Sequence, residues 1–255
     1  MVMTAVVVVA IAVTGVGLGS VAIPPVTVLR LLLARLPFVN IEPDWPAAYE
    51  SIILQIRLPR VVLVALTGAS LAISGAAYQG LFRNPLADPY LIGVASGAGL
   101  GAVLVIGYGV NLTALGASAV PIGAFAGAAI TVALVYALGR VGRSAPTTTL
   151  ILAGVAIGTL ASSFSTFILL SSSSQAIRVL SFLLGGYGGA GWDSVLAILP
   201  FAVIGFATMT LYARPLNVLL FDEEQARQLG VNVERVKLIL IAAATLSTAA
   251  AVSFS

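Results

Sequence analysis

The side chains able to do chemistry in this chain are confined to a few short stretches. The densest is Arg214 to Lys237, where Asp222, Glu223 and Glu224 precede Gln225, Ala226, Arg227, Gln228, Leu229 and Gly230. Carboxylates in a first helical turn complement the positive end of the helix dipole, and a glycine suits the left-handed position that ends a helix. The spacing therefore predicts a capped helix of about two turns, lying outside any membrane span and rigid enough to dock on another surface. A solvated connecting loop is the competing reading, although such loops need only a handful of residues.

Arg83-Asn84-Pro85-Leu86-Ala87-Asp88-Pro89 forms a second polar stretch. It reads as a tight turn in which Asn84 caps a helix opened by Pro85. A third, Gly185-Gly186-Tyr187-Gly188-Gly189-Ala190-Gly191-Trp192, has the glycine content of a phosphate cradle. That chemistry needs a preceding strand and a following Lys-Ser or Lys-Thr, and the single lysine is Lys237. An exterior turn with Trp192 at the membrane interface is the remaining reading, and Gly97-Ala98-Gly99-Leu100-Gly101 fails as a dinucleotide loop because it lies within an apolar run. Ser144, Thr147, Thr148 and Thr149 make a hydroxyl-bearing turn that suits helix capping. Arg57 and Arg60 suit snorkelling at a helix end.

The elements that must position these groups are set by where charge is missing. Of 255 residues, 60% are hydrophobic and 8% charged, and no Asp, Glu, Lys or Arg occurs from Pro89 to Gly139. One helical crossing takes roughly 20 residues, so that run alone is long enough for two. Seven crossings are expected, at about 3–22, 59–82, 86–108, 119–139, 149–171, 193–213 and 236–255. The first lacks a basic region and a clear cleavage site, so it is expected to be a retained span. Residues 26–39 read as a short interfacial helix, followed by the turn-rich Glu42-Pro43-Asp44-Trp45-Pro46. Glycines four apart, Gly93, Gly97 and Gly101, Gly123 and Gly127, Gly154 and Gly158, should let helices pack closely.

With the N-terminus inside, Arg83, Arg140, Arg143, Arg214, Arg227, Arg235 and Lys237 fall on the cytoplasmic side. Arg30, Arg35, Arg57, Arg60 and Arg178 fall outside. The absence of His and Cys removes imidazole bases, thiolates and the usual soft-metal ligands. With the acids in loops or at the edges of the expected spans, no convergent acid–base pair of a membrane enzyme can be named. A secondary transporter would hold Asp, Glu or His inside the membrane for coupling, and the drawn spans carry only Asp88 and Asp193, both at a span's edge. Scattered basic residues give nucleic-acid binding no support.

In order along nearly the whole chain, these stretches resemble the FecCD-type permeases of ABC importers, which carry iron–siderophores, haem or cobalamin. The resemblance rests on Arg57-Leu58-Pro59-Arg60, Gly68-Ala69-Ser70-Leu71-Ala72-Ile73-Ser74-Gly75, Gln79 to Pro89, Leu91-Ile92-Gly93-Val94-Ala95-Ser96-Gly97 and Leu152-Ala153-Gly154-Val155-Ala156. Gly185-Gly186-Tyr187-Gly188-Gly189, Arg214-Pro215-Leu216-Asn217 and Glu224-Gln225-Ala226-Arg227-Gln228-Leu229-Gly230 continue it. It implies an all-α, polytopic helical bundle in the bacterial plasma (inner) membrane, a single permease domain over 1–255 with a cytoplasmic coupling loop at 214–237. About seven spans of a ten-span architecture would be present, so the chain is expected to be incomplete at its C-terminus relative to the family.

Function is implied with it: a non-catalytic permease subunit, without a cofactor, translocating a metal chelate, most readily an iron(III)–siderophore, delivered by a solute-binding protein. An ion-coupled secondary transporter or a non-transporting fragment is the alternative. The implied partners are a dimer of ATP-binding subunits and a second permease subunit, identical or related. Asp222 to Gly230 would be the ATPase-coupling helix, with Ala226 and Leu229 facing the partner and Glu223, Glu224 and Arg227 fixing register. Arg57 and Arg60 would receive acidic groups of the binding protein. The fifth span would line the pathway, with Thr147 and Thr148 at a cytoplasmic gate.

Overall fold

Along a run with no water to bond, every backbone N–H and C=O must pair within its own segment, which for a single stretch of chain means a helix. The computed structural model describes residues 2–35, 38–39, 41–110, 119–140, 142, 145–171, 176–187 and 190–254, and all regular structure among them is helical. Arg143, Ser144, Ser172 to Ser174, Gly188 and Gly189, singled out above or adjoining such stretches, lie outside the described residues.

The order is α1 (Val2–Gly17), α2 (Pro25–Leu33) and α3 (Ala47–Ser51), which runs through a π-helical segment (Ile52–Arg57) into α4 (Leu58–Phe82). A 3-10 turn (Pro89–Ile92) precedes α5 (Val94–Gly107), α6 (Ala119–Gly139), α7 (Thr147–Ser171), α8 (Ala176–Leu183) and α9 (Trp192–Leu211). The last three are α10 (Ala213–Leu219), α11 (Glu223–Gln228) and α12 (Val233–Ser253). Five helical runs, 47–82, α6, α7, α9 and α12, are long and apolar enough to cross a membrane, and the shorter apolar α1 and α5 match the other two expected crossings.

The third crossing starts later than expected from position 86. Asn84 Oδ1 accepts from the Leu86 amide at 2.9 Å, which closes a side-chain turn and caps no helix. The cap-and-proline pair is instead Asp88-Pro89: Asp88 Oδ1 accepts from the amides of Tyr90 at 2.7 Å and Leu91 at 3.2 Å. That opens a single 3-10 turn, which Gly93 ends at φ +81°, and α5 begins beyond it.

The chain divides into two compact units, the first formed by residues 1–65 and 187–196. Its core joins Val16 of α1, Ile23, Val28 and Leu31 around α2, and Ile53 of the π-helical segment. Proline at its first position predisposes α2 to start, since the missing N–H would have had no partner there. A π-helical stretch shifts its carbonyls out of the ordinary ladder, and that of Leu54 accepts the indole N–H of Trp192 at 2.9 Å.

The second unit holds residues 66–186 and 197–255. α5 and α6 meet backbone against backbone at the spaced glycines. A side chain on Gly101 would fall on the Gly123 carbonyl, one on Gly127 would fall on the Gly97 carbonyl, and one on Gly97 would strike Thr131. Gly154 of α7 lies in the same way against the Leu91 carbonyl. α12 is the most enclosed span, with 72% of its apolar window buried against 17% for α7, and its Ala243, Ala244, Ala249, Ala250 and Ala251 are all buried. Tyr78 of α4 meets Thr245 of α12 through their hydroxyls at 3.2 Å.

These contacts give a test. Gly101→Ala is expected to destabilise the detergent-solubilised protein by about 1–3 kcal/mol, because the new methyl meets backbone that cannot rotate away. Gly75→Ala, where nothing lies within 4 Å, is expected to be neutral or slightly stabilising. Thermal unfolding of the two variants side by side checks the contrast.

Candidate functional site

The polar stretch after α9 folds as a cap, a short helix and a stop. Asp222 stands in extended conformation before α11, Glu223 and Glu224 occupy its first turn, and Gly230 ends it at φ +81°. The helix is rigidly inserted. Ala226 is wholly buried, and its carbonyl accepts from the Val231 amide at 2.9 Å. This corrects the expectation that Ala226 faces outward: at this register its methyl group packs into the unit itself, within the core that also contains Leu219 and Val233. Leu229, also expected to face outward, is 73% exposed, and Glu224, Gln225 and Gln228 share its exposure.

The charges sort by the same division. Glu223 turns inward and forms an ion pair with Lys237 of α12 at 2.7 Å, while Arg83 approaches it at 3.7 Å and Asp222 at 3.8 Å. Arg83 closes α4 at φ +50°, so the end of that span is directed onto the start of α11. Glu224 and Arg227 lie 3.9 Å apart within α11, and Arg227 reaches Glu234 at 3.6 Å. Sequence spacing located the helix and its acids. It missed Arg83 and Lys237 as the partners, although a lone lysine in so apolar a chain was the available signal.

A cavity of about 770 Å³ lies along α7, bounded by Asp88, Tyr90 and Leu91, by Ala95 and Ser96 of α5, and by Gly154, Gly158, Thr159, Ser162 and Ser163 of α7. Its shape follows from the glycines, since Gly154 and Gly158 allow α7 to approach the 89–96 segment without side chains filling the space. Hydroxyls at 159, 162 and 163 recur at helical spacing on one face, a pattern readable in the sequence but not picked out there. Two of them are turned back onto their own helix: Thr159 Oγ1 donates to the Val155 carbonyl at 2.9 Å and Ser163 Oγ to that of Thr159 at 2.9 Å.

At the start of α7, Thr149 Oγ1 is placed to donate to the Gly139 carbonyl at 2.7 Å or the Pro146 carbonyl at 2.8 Å, which ties α7 to the end of α6. Thr147 is half-buried and Thr148 exposed.

The two arginines considered for recognition differ in setting, both within the first unit. Arg57 is buried, and its Nη1 donates to the carbonyls of Val16 at 2.9 Å and Gly17 at 2.8 Å, with Nη2 donating to that of Val21. A helix leaves its last carbonyls without partners, and Arg57 supplies donors to the end of α1. Gly19 fits beside it because a side chain there would come within 2.7 Å of the guanidinium. Arg60, one turn further on, is half-buried.

Comparison with known proteins agrees with this architecture. A relative from Halobacterium salinarum described as the cobalamin import system permease protein BtuC is 46% identical over 210 residues, covering 82% of this chain and 56% of its own length. The uncharacterised ABC transporter permease protein YvrB of Bacillus subtilis is 39% identical over 242 residues, covering 94% of this chain and 68% of its own. The vitamin B12 import system permease protein BtuC of Salmonella paratyphi A is 40% identical over 195 residues, 74% of this chain and 57% of its own. This chain therefore matches little more than half the length of the two BtuC proteins. A solved structure described as an inward-facing, metal-chelate type ABC transporter superposes with a TM-score of 0.81 at 26% identity, over 98% of this chain and 74% of the other. Residues 5–255 match the model of the FecCD transport family, and this multi-pass, all-helical protein of the plasma membrane belongs to that family.

Proposed function

We infer that the chain is the membrane-spanning permease of an ATP-driven importer that takes up a large metal chelate. It would work with a dimer of ATP-binding subunits, a second permease subunit and a solute-binding protein. The observation that carries this reading is α11, a short helix locked to the bundle on one face and presenting Glu224, Gln225, Gln228 and Leu229 on the other. A fixed helix can turn the closure of a partner into displacement of spans. Among the described residues, the carboxylates carried by the span-forming helices, Glu50, Asp193 and Glu234, stand only in first turns, which supports a partner ATPase over ion coupling.

The cavity beside α7 supplies the wall of the pathway, with Thr147 and Thr148 at its gate. The family resemblance alone favours an iron–siderophore as solute. Two of the similar permeases are described as cobalamin or vitamin B12 import proteins, which favours a corrinoid here. Because Arg57 is buried against the end of α1 and Arg60 is only half-buried, docking of the binding protein is assigned chiefly to Arg60.

Three outcomes follow. In proteoliposomes carrying the full transporter, ATP-dependent accumulation of radiolabelled cobalamin is expected, with none of a ferric hydroxamate. Ferric uptake alone would restore the siderophore, and accumulation driven by an ion gradient without the ATPase would overturn the importer reading. Leu229→Asp is expected to weaken co-purification of the ATP-binding subunit about tenfold with unchanged thermal stability, whereas Ala226→Glu should lower stability by about 3 kcal/mol or more by burying an unpaired carboxylate. Arg60→Glu should slow association of the loaded binding protein, most strongly at low salt, which surface plasmon resonance would show.

A further inference from the structure

Lys237 is the chain's only lysine, and its side chain is 3% exposed. A buried ammonium must find acceptors, because leaving one unpaired costs far more than an exposed pair gains. Its Nζ has two: Glu223 Oε1 at 2.7 Å and the Ala145 carbonyl at 3.3 Å. These belong to different elements. Glu223 opens α11, Lys237 stands in the second turn of α12, and Ala145, itself fully buried, is separated from Thr147 at the start of α7 only by Pro146.

The proline matters to the linkage. It fixes its own φ and restricts the residue before it, so the carbonyl held by Lys237 sits in a stiff segment continuous with α7. One ammonium thus joins α11 to the entry of α7 through the enclosed helix α12. Arg83 lies 3.7 Å from the same Glu223 oxygen and restrains the carboxylate from the α4 side, so Glu223 cannot swing away to follow Lys237 alone.

We propose that Lys237 is a positioning residue for transport, delivering displacement of α11 to the Ala145–Thr147 segment and so to the mouth of α7. This rests on the reading of α11 as the coupling helix. A lysine that merely stabilised the fold would affect hydrolysis and uptake together. A transmitting lysine would alter the ratio between them.

The test uses the complete transporter in proteoliposomes, with solute uptake and ATP hydrolysis measured on the same preparation. For Lys237→Met, uptake per ATP hydrolysed is expected to fall about tenfold, with basal hydrolysis and subunit assembly retained. Lys237→Arg, which keeps a charged donor, should recover most of the ratio, and Glu223→Gln should lower it in the same direction as Lys237→Met. Since the chain has no cysteine, spin labels at Phe221→Cys, exposed just before α11, and Leu152→Cys, exposed on α7, can report whether the two elements move together on ATP binding. Correlated movement in the parent and its loss in Lys237→Met would support the proposal even where uptake of the variant is too low to measure. An unchanged ratio, parallel loss of uptake and hydrolysis, or unaltered spin-label distances in Lys237→Met would overturn it. Failure of the parent transporter to couple uptake to ATP would instead count against the function proposed above.

Discussion

Lipid provides no hydrophobic drive for apolar helices to leave it for one another, so the second unit depends on contacts that only bare backbone permits. Gly97 and Gly101 on one helix and Gly123 and Gly127 on the next place carbonyl against Cα across the α5–α6 crossing. Dispersion between closely approached backbones then takes over the task that hydrophobic burial performs in water. Two further spans are arranged against that pair. α12 lies beside it with a run of alanines, and α7 packs on it with Gly158 against Ser96 of α5 and Gly154 against the turn before α5, which leaves one side of α7 uncovered and the cavity in front of it open.

Charged side chains gather where the spans end, and there they serve attachment. The Arg83, Glu223 and Lys237 contacts gather the end of α4, the start of α11 and the first turns of α12 at one place. Partial burial strengthens such a pair by lowering the local dielectric, and also makes it intolerant of losing one member. In the first unit, Arg57 does comparable work with backbone acceptors, closing the end of α1. In both cases a long basic side chain reaches acceptors distant in sequence, which fixes the ends of helices.

Much of this was legible before any coordinates. Uncharged length located the spans, four-residue glycine spacing located the close crossings, and the acids before Gly230 located α11. The misjudged points share a cause. Asn84-Pro85 and Asp88-Pro89 are equally good helix openings locally, and only the reach of each carboxamide or carboxylate to the amides beyond it decides between them. The direction of Ala226 depends on how α11 is rotated on the bundle, which two turns of sequence without a strong apolar stripe do not encode. Arg57 was read as a surface charge because its acceptors are main-chain carbonyls some 40 positions earlier, and backbone acceptors leave no trace in residue identity. The partnership of Lys237 with Glu223 spans α11 and the turn after it, outside any local motif.

The uncovered side of α7 has a bearing on how a bulky cargo would travel. Thr159, Ser163, Thr166 and Ser171 each direct their hydrogen to an oxygen one turn back along the same rod. Such a surface is wettable yet short of spare donors, so a large passenger would encounter weak, evenly spread attraction with no deep resting place along the way. Smoothness of that kind favours speed over retention, and it leaves selection of the passenger to whatever delivers it at the entrance.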